Sequence, residues 1–356
     1  MSQKIDYIIV GQGLAGSAAA WELLQRGKSI VVFDEKIKNL ASANAAGLFN
    51  PISGRGMTKA WHADVIFPFF EKFYSLAEKK LNKKFFHLLP LYRPFVSEEE
   101  MRQWKQKSEL EDLKKFLLTF HDPGPFSEVI QNPFGGIEIA WSGYLDVVTW
   151  MSAVRDYLKE LGAYREEAFL EGELLFDDRV QYKEFSAGKI IFCNGLSALH
   201  SRWFNWLPLK PLKGETLDVE IHGGVDRIYN RGVYLVPTVE EDRYRVGATY
   251  QHPPFLEGPS EQGFKELQDK LNELVRVPYK ILHQGWGIRP TTTDRRPMLG
   301  HHPGNKNVAI LNGLGTKGVS LAPYFAHHLI NWLEREGDLL REVNIYRFNA
   351  LYSKLQ

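Results

Sequence analysis

Two glycine-rich hexapeptides stand near opposite ends of the chain, GQGLAG at Gly11–Gly16 and GLGTKG at Gly313–Gly318. The first directly follows an apolar, β-branched run, Ile5–Val10, and opens a helix-forming stretch. In that setting Gly11 permits a tight turn, Gly13 lets the backbone approach a pyrophosphate, and Gly16 lets the helix pack close to the strand. The free N–H groups and the positive end of the helix then attract phosphate. Asp34 closes the next strand at the spacing where a carboxylate accepts hydrogen bonds from a ribose 2′-OH, which disfavours NADP. The alternative is a glycine-rich turn with no ligand. Taken alone, this first loop leaves the choice of dinucleotide open.

The whole chain bounds what such a site can serve. Its 356 residues suffice to bury the core of two domains or one large one. A net charge of +1 provides no global field to recruit nucleic acid or an anionic membrane, so neither is an expected partner. An aromatic content of 13% suits a pocket for a flat ligand, although bulky cores give the same count. Cys193 is the single cysteine, which excludes an intramolecular disulfide framework and a cysteine-based zinc site and fits a reducing compartment. The N-terminus lacks the pattern of a signal peptide, and no segment reaches the roughly 18 apolar residues of a membrane span. A soluble cytoplasmic protein is expected.

The glycine turns need elements to hold them. Ile5–Val10 and Ser29–Phe33 read as buried parallel strands, with the helix Leu14–Arg26 between them stopping at Gly27. From Asp64 to Lys80 helical spacing puts Phe67, Phe70, Phe73, Tyr74 and Ala77 on one face. Ser97 and Glu100 form a capping box that opens a charged, solvated helix predicted to run to about Phe120, followed by a loop over His121–Gln131. Leu145–Leu161 is a further helix, with Asp146 as N-cap and Gly162 as its stop. Ala187–Gly195 is a strand running into glycine. Three short alternating segments, Thr216–Ile221, Val233–Val236 and Tyr244–Ala248, predict an antiparallel sheet, and a helix follows near Gln262–Val275. The final third reads as a loop (Gly287–Gly300), a strand (Val308–Leu311), the second glycine turn, and a helix from about Leu321 to Glu336. Ser320 is its expected cap, with Pro323 in its first turn. The fold class is α/β, with a discontinuous cofactor domain (1–78, 140–208 and 284–356). A smaller α+β substrate domain (79–139 and 209–283) is built on a mixed or antiparallel sheet.

A series of short motifs falls in one order along most of the chain. GQGLAG with Asp34 is followed by ASANAAG (Ala41–Gly47), GYLD opening a helix at Gly143, IIFCNG (Ile190–Gly195) and PLKGE (Pro211–Glu215). Then come YLVP (Tyr234–Pro237), VGATY (Val246–Tyr250), GIRPTTTDRRPMLG and GLGTKG. In this order they resemble the D-amino-acid oxidase superfamily of FAD-dependent oxidoreductases, which includes glycine and sarcosine oxidases. The resemblance implies an FAD-binding, Rossmann-like domain of glutathione-reductase type. It also implies oxidation of the C–N bond of a small amine or amino acid by hydride transfer to flavin N5, with hydrolysis of the imine; dioxygen is the expected electron acceptor, and the sequence leaves oxidase and dehydrogenase both open.

The same resemblance implies the contacts. Leu14, Ala15, Asp34 and Glu35 are expected cofactor contacts, Val180 meets the adenine through its backbone, and Asn194 and Gly195 touch the dinucleotide. Ser42, Ala43, Ala46 and Gly47 lie near the flavin or pyrophosphate, as does Gly287. Gly313, Leu314, Gly315, Thr316, Lys317 and Gly318 wrap the pyrimidine side of the isoalloxazine. The sarcosine-oxidase branch attaches its flavin to a C-terminal cysteine, which this chain lacks, so its FAD should be non-covalent; Cys193 reads as a packing residue. GLGTKG also resembles the oxidase half of the bifunctional enzyme that modifies the wobble uridine of tRNA by removing a carboxymethyl group from an amine. A third reading is a flavin- or NAD-binding module without amine chemistry, against which Arg289 and the second glycine turn argue.

The chemistry itself needs little acid–base machinery, so orientation and electrostatics carry it. Arg289, in GIRP, matches a substrate carboxylate bidentately; the alternative is a structural arginine bridging to Asp294 or a loop carbonyl. Lys317 would place positive charge at the N1–C2=O edge of the flavin, the alternative being a solvent lysine. Tyr250 and Tyr234 are candidates for the pocket wall, or simply packed. His62, with Trp61 and Arg55, borders the site or is structural. The pairs His301–His302 and His327–His328 do not share a helix face and do not read as metal ligands.

Overall fold

A computed structural model describes residues 2–35, 41–53, 56–223 and 225–354. The chain opens with β1 (Gln3–Val10), α1 (Leu14–Gln25) and β2 (Ile30–Phe33), then α2 (Ala63–Leu81). The next stretch carries β3 (Leu91–Pro94), α3 (Glu98–Ser108), α4 (Glu111–Lys114), β4 (Leu117–His121) and β5 (Gly136–Ile139). After α5 (Val147–Glu160) come β6 (Tyr164–Arg165), β7 (Leu175–Phe176), β8 (Val180–Tyr182) and β9 (Phe185–Phe192). Then follow β10 (Leu209–Glu220), β11 (Ile228–Arg231), β12 (Val233–Pro237), β13 (Arg243–Gly247), α6 (Glu261–Leu274) and β14 (Lys280–Thr292). Last are β15 (Met298–His302), β16 (Asn305–Asn312) and α7 (Gly318–Leu333).

Two sheets organise these elements. In the first, β6, β2, β1, β9 and β16 run parallel in that order, with β1 paired to β2 and β9 along its length. Its strands are apolar on both sides because both faces are covered. α1, α2, α5 and α7 pack on one face around Trp21, Phe70, Tyr74 and Trp150, and a second cluster including Phe192 and Phe204 covers the other. The five residues expected on one face of α2 (Phe67, Phe70, Phe73, Tyr74, Ala77) are all buried, each large side chain stabilising by roughly 1.5–3 kcal/mol.

The second sheet, in the order β14-β10-β13-β12-β11-β3-β5-β4, is antiparallel except where β11 meets β3. Residues directly opposite one another share a face. The register Asn230↔Tyr234↔Gly247↔Thr216 therefore aligns one face. The period of two carries Gly214, Arg289, Leu91 and Arg93 onto the same side. The opposite side, with Leu217, Val219, Leu235 and Val246, packs on Leu267, Leu271 and Leu274 of α6.

Several expectations change here. The charged helix does not continue to Phe120: it ends at Ser108, a four-residue turn of helix follows, and Leu117–His121 is an edge strand. Its ladder partner is Gly136–Ile139, a pairing no local periodicity reveals. Glu100 does complete a cap, its Oε2 accepting from Val96 N while Ser97 Oγ accepts from Glu100 N. Gly143–Leu145 is a strand between Leu48–Phe49 and Phe86–Leu88, so GYLD opens its helix only after Asp146, whose side chain caps Thr149 N. Gly287–Thr292 is not a loop. It forms the end of β14, paired throughout with β10, and an edge strand tolerates Pro290. The boundary expected at 283/284 thus falls inside a strand.

The last helix starts at Gly318 rather than Leu321, so Ser320 lies within it, its Oγ donating to Lys317 O. Pro323 is therefore beyond the first turn. Its missing N–H would leave the Val319 carbonyl four residues back unpaired. The fully buried Tyr74 hydroxyl donates to that oxygen at 2.8 Å.

Candidate active site

A cavity of about 2700 Å³ runs from the first glycine turn, past the second, to the aligned face of the second sheet. That exceeds the few hundred to a thousand Å³ of an ordinary small-ligand pocket and has room for a dinucleotide with a substrate beyond it. At its first end Gly11 has φ +93°, and a Cβ on Gly16 would lie 1.8 Å from the Gly11 carbonyl oxygen, so helix and turn meet at a distance only glycine allows. Gln12, buried, locks the turn: its amide donates to Ser17 Oγ and Met151 O, and Arg155 Nε donates to its Oε1 at 3.0 Å. Gln12 N also donates to Asp34 Oδ1 at 2.7 Å, and Tyr164 Oη to Oδ2 at 3.3 Å. Burial raises the Asp34 carboxyl above its usual range, against the opposing pull of Gln12 N and Arg155. Glu35, next along, is exposed on the cavity wall.

The turn expected to follow lies at the start of α1, where Leu14 N donates to Ser42 Oγ at 3.3 Å. Ala15, Ser42, Ala46, Gly47, Asn194 and Gly195 all line the cavity, as do Gly287 and every residue from Gly313 to Gly318. The two glycine turns are in contact: a Cβ on Gly318 would stand 3.0 Å from Leu14 Cδ1. Asn312, a residue with no sequence signature, ties the late turn to the middle of the chain. Its Nδ2 donates to Gly195 O at 2.8 Å and its Oδ1 accepts from Gly313 N.

Three expected residues fall elsewhere. Gly16 acts by packing, Ala43 is off the cavity wall, and Val180 is fully buried with both neighbouring strands paired to it, to Phe176 and Ala187. Val180 does not line the cavity.

Arg289 projects from the aligned face. A Cβ on Gly214 would lie 2.1–2.2 Å from its guanidinium, which also sits 5.2 Å from the Tyr250 ring and donates to Thr249 O at 3.4 Å. Asp294, the alternative acidic partner, is occupied by Arg347 at 2.8 Å. Among the described residues no carboxylate pairs with Arg289. Tyr250 is 63% exposed, which makes it a rim residue rather than a packed one. Tyr234 lies within the wall, its hydroxyl pushed up to about 12 by burial. Lys317 is half-buried, not a solvent lysine; burial lowers its ammonium below the ordinary range, and the charges of Arg295 and Arg296 add to that. Arg296 stacks 4.1 Å over Trp61, whose ring also stacks with Phe325 at 5.5 Å.

His62 is outside the cavity wall, at the start of α2 and 3.8 Å from Glu342, a structural position. Arg55 lies outside the described residues. His327 pairs with Glu22, His328 Nε2 accepts from Leu340 N, and His302 Nδ1 accepts from Gly304 N. Cys193 is buried beside Gly16, its thiol pushed up by burial.

A parallel sheet, a glycine turn at a helix start, a carboxylate at the end of the second strand and a cationic second turn define a dinucleotide-binding oxidoreductase. More particularly, a family model described as FAD-dependent oxidoreductase matches residues 6–332, and the chain belongs to that family. Among curated relatives it is 24% identical to the glycine oxidase of Bacillus licheniformis, over 91% of each chain. Among solved structures it is similar to glycine oxidase from Geobacillus kaustophilus, with a TM-score of 0.79, 20% identity and 98% of each chain covered. It is also similar to iminodiacetate oxidase from Chelativorans sp. BNC1, with a TM-score of 0.77, 19% identity, and 96% and 98% of the two chains covered. The residues present fit FAD. The glycine turns are open to backbone approach, and Asn194 Oδ1 on the wall is buried without a partner.

Proposed function

We propose that the protein oxidises the C–N bond of a small amine or amino acid, with non-covalently bound FAD and with dioxygen as the electron acceptor. Bound FAD supplies the two-electron acceptor. Gly11–Gly16 and the start of α1 would hold its pyrophosphate, with Asp34 or the exposed Glu35 at the ribose. Gly313–Gly318 would hold the ring, where Lys317 stabilises negative charge that accumulates at one edge on reduction.

Arg289 would receive the substrate carboxylate in a fork of two hydrogen bonds, turning the α-carbon toward the late turn; Tyr250 would close over it. The imine left by oxidation hydrolyses in water. The observation that carries this reading is Arg289 itself: a guanidinium on the cavity face, with a carbonyl and an aromatic ring as neighbours and, among the described residues, no carboxylate paired to it. The division into a discontinuous FAD domain and a sheet-based substrate domain belongs to the same proposal.

The test is an anaerobic screen of amines and amino acids against FAD-loaded protein, following flavin absorbance. Bleaching by a carboxylate-bearing amine supports the reading. Bleaching only by tRNA carrying a carboxymethylated amine would move the function to that substrate, and no bleaching by either would leave a flavin-binding module.

A further inference from the structure

The cavity has a second polar end that Arg289 does not explain. On the aligned face of the second sheet Arg93 stands on β3, beyond Tyr234 on β12 and Asn230 on β11. The Arg289 guanidinium lies against Gly214 on β10, and four strand spacings separate β10 from β3, about 19 Å at the backbone. A free glycine cannot touch both ends.

The far end is built, not incidental. Arg93 Nη2 donates to Glu100 at 2.8 Å, and both side chains are only 15% exposed. The Trp104 ring, 1% exposed and the single buried residue of α3, lies 5.7 Å from that guanidinium. Among the described residues, two buried N–H donors there have no acceptor: Arg93 Nε and Trp104 Nε1. Both residues, with Glu100 and Gln103, line the cavity wall. Buried donors of this kind are ordinarily satisfied, so their vacancy marks a place for an acceptor.

We propose that Arg93 and Trp104 form a distal recognition subsite, and that the substrate is an extended amine carrying a neutral carbonyl or carboxamide oxygen far from the C–N bond. This rests on the amine-oxidation reading, with Arg289 as the near anchor. A neutral acceptor fits better than a second carboxylate because Glu100 already balances Arg93, and a further anion beside it would be unpaired in a buried place.

N-acetylated oligoglycines of one to four residues test the length and the chemistry together. Each added residue extends reach by about 3.3–3.6 Å and adds neutral carbonyls behind one carboxylate. Dissociation constants come from perturbation of the flavin spectrum of FAD-loaded protein. Affinity is expected to rise about tenfold from the shortest to the longest ligand, the gain for acceptors meeting vacant buried donors. Arg93→Lys keeps the charge opposite Glu100 and removes Nε–H; Trp104→Phe removes only the indole N–H and part of the ring. In each, the ratio of long- to short-ligand affinity is expected to collapse toward one.

A flat series in the unaltered protein, or variants in which the ratio persists, overturns the subsite. Arg93→Lys decides the matter if Trp104→Phe does not fold. Failure of every ligand, the shortest included, to perturb the flavin would instead strike the Arg289 reading, so the two outcomes are distinct.

Discussion

At the scale of single residues, Arg289 and Gly16 carry the sharpest expectations. Among the described residues the Arg289 guanidinium meets one hydrogen-bond acceptor, Thr249 O at 3.4 Å, which leaves donors for a ligand. Truncating one partner of a buried charged hydrogen-bonded pair weakens binding by about 2–5 kcal/mol, much of it from stranding the other charge. Arg289→Ala should therefore raise the dissociation constant of a carboxylate ligand by that amount in a flavin-perturbation titration. A change below about 0.5 kcal/mol would remove Arg289 from the site. Gly16 is a steric matter. The Cβ of Gly16→Ala would lie 1.8 Å from the Gly11 carbonyl oxygen, which forces helix and turn apart at the point where the pyrophosphate would sit. The expected outcome is folded protein purified with a flavin-to-protein ratio far below that of the unaltered chain. Full flavin content in that variant would show that the first turn does not hold the cofactor.

Elements make a different kind of demand, because a helix or strand must settle its own backbone groups. α7 contains Pro323, and the buried Tyr74 hydroxyl of α2 supplies the donor that proline lacks. Tyr74→Phe should lose about 1–3 kcal/mol by leaving Val319 O unpaired. Pro323→Ala restores an N–H to that oxygen, so the loss should shrink in the double variant. Strict additivity in chemical denaturation would refute the link.

α6 depends on Glu215, a buried residue of β10. Its carboxylate accepts from Ser260 N at 2.9 Å, Ser260 Oγ at 2.7 Å and Gln284 Nε2 at 2.6 Å, with Lys213 Nζ at 3.0 Å. Burial pushes its pKa up, but Ser260 and Lys213 together hold it below the ordinary value. A carboxyl whose folded pKa is depressed binds fewer protons folded than unfolded. Its contribution is complete above the ordinary glutamate pKa of about 4.3 and is lost as pH falls through the folded value. Glu215→Gln should accordingly be less stable at neutral pH and show a shallower loss of stability on acidification below about pH 4.3, read from urea midpoints.

For the molecule as a whole, the cavity is the joint between two sheets. Its walls come from the glycine turn after β1, from the turn before α7 and from the aligned face of the second sheet. A ligand that touches all of these stabilises the folded state by mass action, about 2.7 kcal/mol at a hundredfold excess over its dissociation constant. FAD should therefore raise the melting temperature of flavin-stripped protein in a concentration-dependent way, and Gly16→Ala should abolish the rise. An unchanged melting temperature in the unaltered protein would show that FAD does not bind the folded chain.

What the amino-acid order by itself determined is what local physics determines. β1–α1–β2, the apolar face of α2, the Asp146 cap and the helix near Gln262–Val275 depend on spacing and caps within a few residues, and they stand where the pattern puts them. The cationic late turn and Arg289 were visible as residue types. Only the tertiary structure decided what they touch. The stretch bearing Arg289 reads as a loop because Pro290 and three threonines obscure it, and its ladder partner lies some 80 residues earlier. Leu117–His121 continues a helical composition until β5 claims it as an edge strand. The partners of Asn312, Tyr74 and Arg93 left no trace in the sequence, because a contact between distant residues has no period. Sequence spacing fixes the conformation of a segment, whereas the partner of a buried polar group is chosen by how the segments pack.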